Sequence, residues 1–158
     1  MGINIVAVGK IKEDYMRAGI AEYVKRLGSF VPLSIVEVDE YRLKDKPSDK
    51  DILLGLEKEA DGIMKAIKPQ DYVVALAIEG KALGSEDVAR NIEAIRATHG
   101  TLVFVIGSSY GLAETIKKRA QERWSLSNMT WPHQIVRFVW LEQLYRAFKI
   151  MNNEQYHK

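Results

Sequence analysis

The sequence predicts an α/β protein, a mostly parallel sheet with helices on both faces. Three observations carry this. Short β-branched runs alternate with longer stretches of helical periodicity along the whole chain. Glycine, proline or a capping residue stands at most of the joints. Finally, the 158 residues contain no internal repeat and no low-complexity segment, so one domain spanning residues 1–158 is the expectation.

The elements follow in order. Ile3 to Val8 is a β-branched run closed by Gly9, the mark of a buried strand. Glu13 to Leu27 reads as a helix stopped by Gly28, and Leu33 to Val38 as a second strand after Pro32. Glu40 to Pro47 is charged and loop-like. Ser48-Asp49-Lys50-Asp51 resembles a capping box, with Asp in the place of Glu, and opens a helix reaching about Ile67. After Pro69 comes a third strand, Tyr72 to Ala77, then a helix capped by Ser85 that runs to His99 and ends at Gly100. Leu102 to Ile106 is an unbroken apolar strand. A helix from about Ala113 to Glu122 and a short strand near Trp124 to Leu126 precede the last helix, Gln134 to Met151.

That last helix is apolar on more than one stripe, from Ile135 to Met151, whereas a helix lying on a single core shows a stripe of little over ~100°. The pattern predicts two buried faces, one on the sheet and one on a second copy of the chain, with Trp140 and Phe148 among the outward positions. The alternative is a central helix in a larger core.

Composition removes several functions. There is no cysteine, hence no disulfide framework and no thiolate chemistry. His99, His133 and His157 lack ligand spacing, so no metal site is expected. No apolar stretch has the length of a membrane span, the start has no basic leader region, and Val6 stands where a myristoylation signal needs Ser or Thr. A cytoplasmic protein is the expectation. The net charge of +2 leaves a nucleic-acid partner open without arguing for one.

Two loops and the tail bear the chemistry. Gly107-Ser108-Ser109-Tyr110-Gly111 follows a strand and precedes a helix, the place of a ligand cradle, yet it fits neither the dinucleotide fingerprint nor the Walker A pattern. By spacing it is either a tight turn or a ligand loop. Ser125 to His133 mixes hydrogen-bonding groups (Ser125, Ser127, Asn128, Thr130) with apolar ones (Leu126, Met129, Trp131), and Pro132 starts the helix. That suits a flat heterocycle read by main-chain groups; it also suits a capping loop with Thr130 or Ser127 as the cap. Tyr156-His157-Lys158 is either a frayed end or a reactive tail.

Together these residues resemble a known family. Ile106-Gly107, the run SLSNMTWPHQ from Ser125 to Gln134, Glu142 to Ile150, and Tyr156-His157-Lys158 are similar to the bacterial ribosomal RNA large subunit methyltransferase H family, and the likeness runs close to full length. These are small SPOUT-class enzymes that move a methyl group from S-adenosylmethionine to N3 of a pseudouridine in 23S rRNA. The resemblance implies an α/β fold with a C-terminal trefoil knot and a homodimer built on the last helix. It implies cofactor contacts at Leu76, Gly107, Leu126, Ser127, Asn128, Met129, Thr130 and Trp131. It implies a catalytic tail, with His157 taking the N3 proton, Tyr156 on the base and Lys158 on a phosphate, completed across the dimer; Arg146 and Lys149 are further phosphate ligands. An imidazole with an ordinary pKa of about 6.5 suits that proton transfer.

The chain departs from the family at two positions. Ser108 stands where a second glycine is usual, and Gln155 where proline is common. If position 108 takes a positive φ, its Cβ costs about 1 kcal/mol and narrows the approach to the cofactor, so Ser108→Gly is expected to tighten binding. Alternatives to the enzyme are a knotted scaffold or ribosome-binding module without turnover, and a SPOUT methyltransferase with another RNA target.

Overall fold

The computed structural model describes residues 2–158. Five strands form one parallel sheet: β1 (Gly2–Val8), β2 (Leu33–Val38), β3 (Tyr72–Ala82), β4 (Thr101–Ile106) and β5 (Glu122–Ser125), in the spatial order β2-β1-β4-β3-β5. Five helices connect and follow them: α1 (Asp14–Leu27), α2 (Asp49–Lys65), α3 (Ser85–Arg96), α4 (Glu114–Arg119) and α5 (His133–Met151).

Alternation within each strand divides the core in two. Ile3, Ile5, Leu102, Phe104 and Val74 point to the face covered by α1, α3 and α5. Val6, Val8, Val73, Ala75, Val103 and Val105 point to the face covered by α2 and α4. Both faces are dry, which is why the central strands read as continuous apolar runs. The heart of the larger half is aromatic: Phe104, Trp124 and Trp140 pack with ring centroids 4.8 to 6.2 Å apart. Each such pair adds about 0.5–1.5 kcal/mol beyond area burial.

Local signals set most boundaries. Ser48 and Asp51 form the reciprocal box at the start of α2, with bonds of 3.0 and 3.1 Å. The start of α3 differs from expectation. Gly84 is the cap residue, its N–H bonded to the Asp87 carboxylate at 3.1 Å, and Ser85 is the first helical residue. The Ser85 hydroxyl instead donates to Gln143 on α5 at 2.6 Å. Two helices stop short of the expected ends, α3 at Arg96 and α4 at Arg119. After α4, Gln121 turns the chain into the sheet: its N–H donates to the Val73 carbonyl and its side chain accepts from the Val73 N–H, at 2.8 and 2.7 Å.

Part of the apolar pattern of α5 has its explanation inside the protomer. The helix lies on the sheet between α1 and α3. Trp140 and Phe148 are 1 % and 2 % exposed; they are core residues, not outward ones. Tyr23 of α1 packs edge-on against Phe138 and Tyr145, and Arg96 of α3 sits over Phe148. These neighbours and the sheet bury Trp140, Leu141, Leu144, Ala147 and Phe148, while Ile135, Val136, Phe138, Val139, Tyr145, Ile150 and Met151 stay partly exposed within the protomer.

A candidate ligand cleft at the strand ends

Strand register brings the site together. Leu76 of β3 pairs with Ile106 of β4 on one side and Trp124 of β5 on the other, so three strand ends finish side by side. In parallel sheets that edge is where ligands bind. Past Leu76 the pairing with β5 jumps: Lys81 also pairs with Trp124, and Ala77 to Gly80 loop out between. This irregularity opens a wall. Ala77, Ile78 and Glu79 line one side of a cleft of about 350 Å³.

Residues 107–111 and the loop after β5 supply the other walls. Leu76, Gly107, Leu126, Ser127, Met129, Thr130 and Trp131 all line this one cleft. Asn128 does not line it. The loop is shaped by its own serines: Ser125 Oγ donates to the Ser127 carbonyl and Ser127 Oγ accepts from the Met129 N–H, both at 3.0 Å. Neither Ser127 nor Thr130 caps α5; Pro132 is the cap residue, and no side chain bonds there. Its serine and threonine groups are therefore not committed to closing the helix.

The 107–111 turn is tight. A Cβ on Gly107 would lie 2.2 Å from the Gly111 carbonyl oxygen, a backbone atom that cannot swing aside. Gly111 has φ +90, the left-handed region that favours glycine. Ser108 does not have a positive φ, contrary to the concern raised by its departure from the family. Its hydroxyl donates to Glu59 of α2 at 2.9 Å, and its side chain is accommodated with the residue 8 % exposed. The substitution carries no backbone strain.

Several lining residues gave little signal in the sequence. Glu79 is paired with Lys117 at 2.5 Å, and that bond holds its carboxyl below the usual range. His133, which the sequence offered only as a residue at a helix start, reaches the cleft; its Nδ1 lies 3.4 Å from Ser109 Oγ, and its Nε2 is buried without a partner. Tyr110 is half-exposed at the rim. These residues come from β3, α4, α5 and the turn, and only the fold brings them together.

The tail lies elsewhere. Tyr156, His157 and Lys158 do not line the cleft within one protomer. Tyr156 packs edge-on to Tyr145 with centroids 5.0 Å apart, under the Arg146 guanidinium at 4.7 Å, and its hydroxyl donates to Glu142 at 3.2 Å. Burial first, then Tyr23 and the Glu142 carboxylate, push its phenol up to about 12. Arg146 Nη1 is 3.2 Å from His157 Nδ1. A guanidinium only donates, so Nδ1 accepts and the neutral ring carries its proton on Nε2, which faces Glu86 at 3.5 Å.

Comparison with known proteins agrees with this geometry. The chain matches the family model described as predicted SPOUT methyltransferase over residues 1–157. It is 44 % identical over 160 residues to the ribosomal RNA large subunit methyltransferase H of Bacillus pumilus (strain SAFR-032), and 45 % identical over 160 residues to that of Clostridioides difficile (strain 630). Each alignment covers 100 % of this chain and 100 % of the relative. Among solved structures, a probable methylase family protein from Haemophilus influenzae Rd KW20 superposes with a TM-score of 0.57 at 16 % identity, covering 99 % of this chain and 70 % of that one; at that identity the likeness concerns the fold. The chain belongs to the SPOUT methyltransferase family and, by full-length identity, to its ribosomal RNA large subunit methyltransferase H group.

Proposed function

We propose that this methyltransferase carries a methyl group from S-adenosylmethionine to N3 of a pseudouridine in 23S rRNA of the large subunit. The observation that carries the reading is the convergence of Leu76, Gly107, Leu126, Ser127 and Met129 to Trp131 on one cleft in a family of methyltransferases. The cleft fits the cofactor in kind: a volume of about 350 Å³, apolar walls from Leu76, Leu126 and Met129, and polar groups from Ser127, Thr130 and the loop backbone. When bound, S-adenosylmethionine supplies an electrophilic methyl carbon on a sulfonium. Leu126, Ser127 and Met129 to Trp131 would hold the adenine side, and the Gly107 turn would let backbone approach the ligand closely.

What remains is positioning and one proton. As N3 gains the methyl it must release its proton, and His157 takes it. In the free protomer the Nδ1 lone pair of His157 is already occupied by Arg146 and Nε2 holds a hydrogen. The tail therefore works after leaving Arg146, with Nδ1 as the acceptor, Tyr156 on the base and Lys158 on a phosphate. Arg146 and Lys149 are further phosphate ligands in this reading, and each must exchange a carboxylate for the phosphate: Arg146 is paired with Glu142 at 2.7 Å and Lys149 with Glu154. Because the tail does not line its own protomer's cleft, the reading includes a homodimer in which the tail of one copy completes the cleft of the other. It also includes a single knotted methyltransferase domain acting in the cytoplasm; no helix among the described residues is long and apolar enough to cross a membrane.

The test is calorimetric titration with S-adenosylmethionine, followed by methyl transfer to ribosomes from a strain lacking this modification. Saturable binding and incorporation at one pseudouridine are expected. A purified protein that binds no cofactor, or binds it and methylates no ribosome, would overturn the reading. Light scattering at micromolar concentration should give a dimer, and a monomer would remove the shared site.

A further inference from the structure

Glu59 is a carboxylate that methyl transfer does not obviously need. It sits in the second half of α2, 5 % exposed, and among the described residues no cation pairs with it. Burial pushes its carboxyl up, opposed by hydrogen bonds from the Tyr41 backbone and the Ser108 side chain. A buried carboxylate without a cation costs stability, so its two bonds matter. They go to different places. Oε1 accepts from Ser108 Oγ at 2.9 Å, and Oε2 accepts from the Tyr41 N–H at 3.0 Å. Ser108 belongs to the turn that walls the cleft described above. Tyr41 belongs to the charged loop that walls a second cleft, about 870 Å³, between the ends of β1 and β2 and α2. Ser108 and Tyr110 face both clefts.

We propose that Glu59 is a positioning residue for cofactor binding, clamping the Gly107–Gly111 turn to α2 and to the Tyr41 loop so that the two clefts keep a common wall. The ligand it serves, S-adenosylmethionine, rests on the function proposed above. The physical case is that Gly107 and Gly111 leave the turn short of side-chain packing, and Ser108 provides the hydroxyl that ties it to a helix. Where the family usually has glycine, this chain has gained an anchor rather than an obstruction. Ser108→Gly should then weaken cofactor binding, the reverse of what the sequence alone predicts, because it leaves one oxygen of Glu59 buried and unsatisfied.

Two measurements on the full-length protein test this. Hydrogen exchange read by mass spectrometry on the cofactor-free protein should show faster exchange in residues 41–44 and 107–112 in both Ser108→Gly and Glu59→Ala. Calorimetry with S-adenosylmethionine should show each variant binding roughly tenfold more weakly, with the double variant little worse than either single one. Glu59→Gln should bind within about twofold of the parent, since its carbonyl can accept from Tyr41 while its amide donates to the Ser108 hydroxyl. If Glu59→Ala does not fold, Ser108→Ala and Glu59→Gln make the same comparison. Unchanged exchange at 107–112, or unchanged cofactor affinity beside a lowered melting temperature, overturns the proposal and leaves Glu59 a structural residue. A parent protein that binds no S-adenosylmethionine overturns the function above, and the exchange experiment then decides alone whether Glu59 holds the turn.

Discussion

The cleft and the C-terminal tail are held in different ways. The cleft is built from strand ends in fixed register, from the backbone bond between the Gly111 N–H and Ser108, and from the serine-shaped loop after β5. The tail has no such frame. Its last backbone bond runs from the Glu154 N–H to the Lys149 carbonyl; beyond that, Tyr156 and His157 are held through side chains, chiefly Glu142 and Arg146. Hydrogen bonds of that kind contribute about 1 kcal/mol each. One region is therefore part of the fold, and the other can move without disturbing it. That difference is what a site shared between two protomers would need.

The sharpest way to break the comparison is Gly107→Val. A branched side chain placed 2.2 Å from the Gly111 carbonyl must push the turn open, and calorimetry should detect no S-adenosylmethionine binding in a protein that still melts cooperatively. Full affinity in that variant would mean the turn takes no part in the cleft.

Removing the tail should do the opposite. Deleting residues 156–158, or making His157→Ala, should leave cofactor affinity intact and lower single-turnover methylation by ~10²-fold or more, in line with loss of a general base. A tail-deleted protein that methylates ribosomes at the parent rate would show that the tail is only a frayed end.

A smaller effect is expected from Lys158→Ala. As a phosphate contact it should weaken binding to the ribosomal substrate several-fold and reduce the salt dependence by about one charge. Binding measured at two or more salt concentrations checks this, and parallel salt lines would remove Lys158 from the substrate interface.

The mildest prediction concerns alkaline pH. Burial together with Glu122 pushes Tyr72 up to about 12, and Tyr156 is likewise pushed up to about 12. An unfolded tyrosine titrates near 10. Stability should therefore hold up to about pH 10 and fall between about pH 10 and 12, where the unfolded chain has lost protons that the folded one keeps. Ultraviolet titration beside denaturant melts would read both, and Tyr156→Phe should remove one of the two late phenols.

Much of this was legible in the residues. The short β-branched runs and the box at Ser48 report local chemistry that the fold leaves unchanged; Gly28 does follow α1, but with a right-handed φ of −59 rather than the left-handed glycine cap. The two loops that wall the cleft stood out because polar groups and glycines follow directly on apolar strands. Other features were hidden by distance along the chain. Lys117 meets Glu79, His133 meets Ser109, and Arg137, 3 % exposed, reaches Glu37 at 2.7 Å across a hundred residues of sequence. No periodicity reports such pairs. Ser85 looked like a cap because its type and position suit one; a neighbouring helix offered Gln143, and the helix start fell to Gly84 and Asp87.

By itself the sequence determined the order of strands and helices along the chain, the two-sided burial of the sheet and the loops that wall the cleft, because these depend on residue type and short-range spacing. Tertiary structure alone decided which apolar residues of α5 are core, since α1, α3 and the sheet bury Trp140 and Phe148, the positions expected to face outward. It decided that Ala77 to Gly80 loop out against β5, because register is fixed by pairing across strands. It decided the meaning of Ser108 too. A serine in place of glycine reads as an obstruction until Glu59, 49 residues away, is seen to accept its hydroxyl.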